Sequence, residues 1–210
     1  MPIVFREHND FHAIAVWEST EDPAVLEELA RLSFSEKTDF ESFKSLSRKR
    51  EYVTVRALLR AMTPEAPVSI RYDKNGKPHP DQMKSMSISH TGNFVAVMLS
   101  ERSACGLDME LIDERILRLA KKFVNDEEKK HLPEQNLIEH LQVLWGAKEV
   151  IFKIHGLGDL DFRKHMNVHA FHFADTGNLT AELKKEGFEQ IFQVHYKQFG
   201  QLMLSWSEAD

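Results

Sequence analysis

Two periodicities alternate along this chain, a step of three to four residues and a step of two. Residues 11–18 (FHAIAVWE) predict a short strand. Residues 23–32 predict a helix, with Asp22 as N-cap and Pro23 at its first position. A longer helix is predicted over 36–62, where Phe40, Phe43, Leu46, Val53, Ala57, Leu58 and Ala61 recur at helical spacing. Pro64 and Pro67 end it. The step then drops to two, which predicts strands over 68–72, 86–89, 94–99 and 104–112, with Asn75-Gly76 as a turn between the first two. Helical spacing returns over 115–124, 126–132 and 137–154. Alternation resumes over 167–173, 179–184, 189–196 and 201–206, and Gly177-Asn178 reads as a turn.

Helices followed by strands thus occur twice, each time in roughly 100 residues, without a residue-level repeat. The fold class this predicts is α+β, with two similar halves packed as a pseudo-dimer within one chain. The halves are residues 1–102 and 103–210. A single α+β domain is the alternative. No Pro/Gly/Ser-rich linker separates the halves, so they are expected to pack tightly.

Composition narrows the function classes. In 210 residues there are 33 acidic and 27 basic side chains, a formal charge of -6, with 42% apolar and 29% charged residues. That balance is globular rather than disordered and argues against a general nucleic-acid coat. The single cysteine, Cys105, excludes a disulfide scaffold. No apolar run approaches 18 residues, and residues 1–10 carry Arg6, Glu7 and Asp10 instead of a secretory apolar stretch. The expectation is a cytoplasmic protein with no membrane span.

Four short segments carry chemistry. In CGLDMELI, Asp108 and Glu110 stand two apart, so a strand puts both carboxylates on one face, about 6 to 7 Å apart. Such a pair suits a hard divalent cation; the simpler alternative is a half-exposed strand with polar residues outward. In WGAKEVIFK, Trp145, Glu149 and Lys153 follow at four-residue steps along one side of a helix. There Glu149 can bind metal or take a proton, and Lys153 can balance phosphate charge; the alternative is a surface ion pair. Ser89-His90-Thr91-Gly92 lies at a strand end before a turn, a corner able to hold a phosphate. Asn75-Gly76-Lys77-Pro78 is otherwise a plain hairpin turn.

Their order, NGKP, SISHTGN, GLDME and WGAKEVIFK, resembles the 4'-phosphopantetheinyl transferase superfamily in its longer form of two similar halves. The resemblance covers about residues 48–161. Gly106-Leu107-Asp108-Met109-Glu110 meets the G-[IVL]-D-x-E pattern, and Trp145, Lys148, Glu149 and Lys153 meet the [FW]-x-x-K-E-[AS]-x-x-K pattern, with Val150 in place of the small residue. ISHTG carries Thr91 where the family's ISHSG-like segment has Ser. The resemblance implies transfer of the phosphopantetheine arm of coenzyme A to a serine of an acyl or peptidyl carrier protein, with release of adenosine 3',5'-bisphosphate. It implies Mg²⁺ held by Asp108, Glu110 and Glu149. Glu149 is then the base and Lys153 the group that stabilises pyrophosphate charge. His90 would hold the 3'-phosphate, Lys77 would lie near the adenine or phosphates, and Ser89 and Thr91 would shape that pocket. From the long helix, Arg50 and Arg56 are both candidates for the 3'-phosphate, because the register is open.

Other features carry less. Glu127 reads as a first-turn carboxylate facing the helix dipole. His165, His169 and His172 do not make a shared ligand set, since a strand points His169 and His172 to opposite sides. A local basic face from Lys44, Arg48, Lys49, Arg50, Arg56, Lys121 and Lys122 is expected to meet coenzyme A phosphates and an acidic carrier. With both halves in one chain, a monomer suffices. Competing readings are a catalytically inactive coenzyme A- or carrier-binding protein of the same fold, and a different Mg²⁺-dependent phosphate-transferring or hydrolytic enzyme.

Overall fold

A computed structural model describes residues 3–66, 68–156 and 158–210. The first half runs β1 (Ile3–His8), β2 (His12–Glu18), α1 (Pro23–Ala30), α2 (Phe34–Ser42), α3 (Leu46–Met62), β3 (Ile70–Tyr72), β4 (Pro78–Pro80), β5 (Ser85–Thr91) and β6 (Phe94–Ser100). The second half runs β7 (Ala104–Leu111), α4 (Arg115–Phe123), α5 (Asp126–Lys129), α6 (Leu137–His155), β8 (Met166–Val168), β9 (Thr176–Lys185), β10 (Phe188–Phe199) and β11 (Leu202–Ala209). The chain is mixed α+β, as its periodicities predict. Among the described residues no helix is long and apolar enough to cross a membrane.

Among the described residues there are two larger antiparallel sheets, in the order β1-β2-β6-β5 and β7-β11-β10-β9-β8, and β3 pairs with β4 in a two-stranded one. The shared part of the two orders is visible in the strands: β2-β6-β5 corresponds to β7-β11-β10. In both, the strand before the helices lies beside the half's last strand, which lies beside its hairpin partner. The period of two explains how the layers stack. In β6, Val95, Val97 and Leu99 join a core with Leu58 and Leu59 of α3, while Ala96 and Met98 face the other way. That second face meets Leu107 and Met109 of β7 and Leu204 and Trp206 of β11. Helix α6 covers the outer face of the second sheet, where Val150 and Ile151 pack with Val194 and Tyr196. Strands buried on both faces read as near-continuous apolar runs, as FVAVML does.

The edge strands β5 and β7 meet through hydroxyls. Ser87 Oγ accepts from the Leu107 amide at 2.9 Å and Ser89 Oγ from the Met109 amide at 3.1 Å. Elsewhere His12 Nδ1 lies 2.8 Å from Glu208 Oε2, and Arg102 pairs with Asp210 at 2.6 Å.

Several local expectations need correction. The helix predicted over 36–62 is two helices. Ser33 and Glu36 form a capping box that starts α2, Phe43 is extended (φ -73, ψ 130), and Ser45 Oγ caps α3 by accepting from the Arg48 amide. Gly177-Asn178 is not a turn but lies inside β9. A Cβ on Gly177 would sit 2.6 Å from Tyr196 Oη, so the glycine serves close packing. The strand predicted over 167–173 stops at Val168, which removes the alternation argued for His169 and His172. Strands β1 and β4 add to the predicted elements. Pro67, read as a helix stop, lies outside the described residues, as does Leu157.

Candidate active site

Two glycines bring the site together. A Cβ on Gly106 of β7 would lie 2.3 Å from the Val150 carbonyl oxygen, and one on Gly146 would lie 2.5 Å from Ser205 Oγ. Helix α6 therefore rests directly against β7 and β11, where a larger residue would lift it away. This contact sets the helical stripe of Trp145, Glu149 and Lys153 against the strand face of Asp108 and Glu110. Trp145 is fixed by ring contacts with Phe123 at 5.1 Å and Phe162 at 5.4 Å.

Lys153 Nζ donates to the Leu107 carbonyl at 2.7 Å, to Asp108 Oδ1 at 3.0 Å and to Ser89 Oγ at 3.3 Å. Asp108, only 5% exposed, also accepts from Ser89 Oγ at 3.2 Å. Glu110 Oε2 accepts from Thr91 Oγ1 at 3.2 Å. Glu149 makes no hydrogen bond or ion pair to any described residue. Burial, and then the charge of Asp108, push the Glu149 carboxyl up to about 7, with Lys153 pulling the other way. Glu110 is raised for the same two reasons, burial first. Three carboxylates share one ammonium, so the site carries surplus negative charge in a half-buried place.

Strand alternation splits the SISHT segment. Ser89 and Thr91 turn toward β7, whereas His90 turns away into a second cavity. There His90 Nε2 lies 3.6 Å from a Glu51 carboxylate oxygen, beside Arg48, Tyr52 and Tyr72. Lys77 reaches across to the second half and donates to the Ile154 carbonyl at 3.0 Å, at the C-terminal end of α6. It lines a cavity of about 430 Å³ with Lys153, Phe152 and Met86. Gly76, Pro78 and Ile88 line both cavities, so the two adjoin.

The two arginines expected from the long helix are otherwise engaged. Arg50 donates to the carbonyls of Ser19 at 3.2 Å and Glu21 at 3.0 Å and lines neither cavity. Arg56 borders the His90 cavity, but its Nε donates to Glu36 at 3.1 Å and its guanidinium lies 3.3 Å from the Tyr52 ring centroid. The basic side chain of α3 that opens onto the cavity is Arg48. The register Arg48, Glu51, Tyr52, Val55 (i, i+3, i+4, i+7) marks that face.

Sequence reasoning also missed the support beneath α6. Lys148 is fully buried and donates to Glu128 at 2.8 Å and to the carbonyls of Phe123 at 2.7 Å and Phe162 at 2.9 Å. Glu128 in turn accepts from the amides of Asn125 and Val168. Glu127, by contrast, is an exposed partner of Lys130.

Residues 104–205 match the family model described as the 4'-phosphopantetheinyl transferase superfamily. Over those residues, just under half of the chain, the sequence is similar to this superfamily. The match opens on β7 and closes within β11, so it takes in Asp108, Glu110, Trp145, Lys148, Glu149 and Lys153 together. The matched region thus coincides with the sheet that contains β7 and β11 and the helices on its outer face, while His90, Lys77 and Arg48 lie before it in the chain. No curated protein matches the chain.

Proposed function

We propose that the chain transfers 4'-phosphopantetheine from coenzyme A to a serine of an acyl or peptidyl carrier protein and releases adenosine 3',5'-bisphosphate. The observation that carries this reading is the opposition of Asp108, Glu110, Glu149 and Lys153 beside two adjoining cavities that hold His90, Arg48 and Lys77. One end of that arrangement is acidic and half-buried; the other is basic. A pyrophosphate ester with a further phosphate at its nucleoside end matches this division of charge.

In this reading the carrier serine oxygen attacks the pantetheine-side phosphorus, and the bond to the bisphosphate oxygen breaks. Glu149 takes the serine proton, directly or through water, since its carboxylate faces the site and makes no hydrogen bond to a described residue. Lys153 stabilises the charge that grows on the pyrophosphate, held in place by Leu107 and Asp108. His90 and Arg48 receive the 3'-phosphate, with Arg56 as a buried support, and Lys77 lies along the phosphates. Ser89 and Thr91 orient Asp108 and Glu110. Arg50 fixes the chain between β2 and α1.

The residues fit Mg²⁺. Asp108, Glu110 and Glu149 are hard oxygen donors whose mutual repulsion a divalent cation would relieve. Among the described residues no three His, Cys, Asp or Glu side chains already converge on one point. When bound, Mg²⁺ would neutralise negative charge on the pyrophosphate.

We read residues 1–102 and 103–210 as the two halves of a monomer, the first taking the place of a partner subunit in the coenzyme A site. The test is incubation of the purified chain with coenzyme A, Mg²⁺ and a panel of carrier proteins. A carrier that gains one phosphopantetheine supports the proposal. Binding of coenzyme A without transfer to any carrier would instead support an inactive binding protein.

A further inference from the structure

A cavity of about 490 Å³ lies at the opposite end of α6 from Lys153, and the reaction above makes no use of it. His131, Gln135, Asn136, His140, Phe171 and His172 are among its lining residues. His140 is nine residues before Glu149, about 13 Å along the helix at 1.5 Å per residue. We propose that this cavity is a second binding site, for a small oxyanion such as a phosphate or carboxylate group.

Two independent observations carry the assignment. The first is His140 itself. It is 3% exposed, its ring lies flat on Phe171 at 4.1 Å, and its Nδ1 is buried without a hydrogen-bond partner. Neither ring nitrogen bonds to any described residue. A buried imidazole left unpaired is costly, so a polar group that fills the cavity beside it would be retained. The second is the start of α6. This 19-residue helix is preceded by Asn136 at the N-cap, which takes a left-handed conformation (φ 55) and makes no side-chain cap. The first amides of the helix therefore keep their capacity for an acceptor, and the helix dipole favours negative charge there.

The lining suits an anion more than a metal. The titratable groups in it are His131, His140 and His172, with no carboxylate among them. The three rings do not converge as metal ligands among the described residues. Burial, then His172, push His140 down to about 4, which favours its neutral ring. A bound oxyanion would favour protonation of His140, so binding strengthens as pH falls.

Nuclear magnetic resonance of the full chain tests this. The Leu137 and Ile138 amides and the His140 ring are followed during titration with sodium phosphate, and separately with sodium acetate, at constant ionic strength. The expected result is a saturable shift of all three signals, tighter at pH 6 than at pH 8. Saturation with phosphate alone or acetate alone identifies which group the site prefers. His140→Phe keeps the stack on Phe171 and removes both nitrogens, and Asn136→Asp puts a negative charge at the start of the helix that repels an anion. Each is expected to abolish the saturable shift, while phosphate-induced shifts around His90 persist. Shifts that are absent or merely linear with both salts would overturn the proposal. So would unchanged saturation in either folded variant.

Discussion

Replacing Glu149 by Gln should make the metal-free chain more stable at pH 8 and leave it nearly unchanged at pH 4. The carboxyl is raised from 4.5 to about 7, chiefly by burial and secondly by Asp108. A group whose folded pKa is raised helps the fold fully below its unfolded pKa, and that help is lost as pH rises through the folded value. The loss therefore falls between about pH 4.5 and pH 7. A shift of about 2.5 units corresponds to roughly 3 kcal/mol at 1.36 kcal/mol per unit, and screening of this partly exposed side chain reduces it to about 2 kcal/mol. The glutamine would carry no charge and sacrifice no hydrogen bond, because Glu149 makes none to the described residues. At 2–4 °C per kcal/mol for a chain of this size, the variant should melt roughly 4–8 °C higher at pH 8 in the presence of a chelator. Differential scanning calorimetry at pH 4 and pH 8 measures this directly. Added Mg²⁺ should raise the melting temperature of the parent and leave Glu149→Gln much less affected. A variant that is less stable than the parent at pH 8 would refute the account of an uncompensated acidic cluster.

The remaining predictions concern the supports of the site. Lys148→Met removes one partner of a fully buried pair, which typically destabilises by about 3–5 kcal/mol, so melting should fall by roughly 6–20 °C; a drop under about 2 °C would mean the pair contributes little. Gly106→Ala puts a methyl group against the Val150 carbonyl and must push α6 off β7. Denaturant titration should show a loss of about 1–3 kcal/mol, and transfer should fall by roughly 100-fold in steady-state assays. Arg48→Ala should raise KM for coenzyme A about tenfold, as expected for loss of one charged hydrogen bond, while Arg50→Ala should lower thermal stability with KM unchanged. Equal effects of the two on KM would place the 3'-phosphate elsewhere.

What could be read from the sequence was whatever its own periodicity or spacing encodes. The strand face of Asp108 and Glu110 and the helical stripe of Trp145, Glu149 and Lys153 are both periodic, and both stand in the structure as those periods dictate. The break between α2 and α3 was hidden because Phe40, Phe43 and Leu46 keep helical spacing straight across it, while the capping roles of Ser33 and Ser45 are local. The register that turns Arg48 and Arg56, rather than Arg50, toward the His90 cavity is fixed only by the packing of Tyr52 and Val55. The Lys148 and Glu128 knot joins residues 20 apart through carbonyls of two further segments, a convergence that no one-dimensional pattern announces. Gly177 misled because a glycine needed for room beside Tyr196 looks, in sequence, like a glycine needed for a turn.

The central claim is that Asp108, Glu110, Glu149 and Lys153 form one transfer site. Its most direct test is the intact mass of a carrier protein after incubation with coenzyme A, Mg²⁺ and the chain. The account predicts that some carrier in the panel gains one phosphopantetheine with the parent chain, and that none does with a folded Asp108→Ala variant. Full modification by Asp108→Ala, or no modification of any carrier by a parent chain that binds coenzyme A, would contradict it.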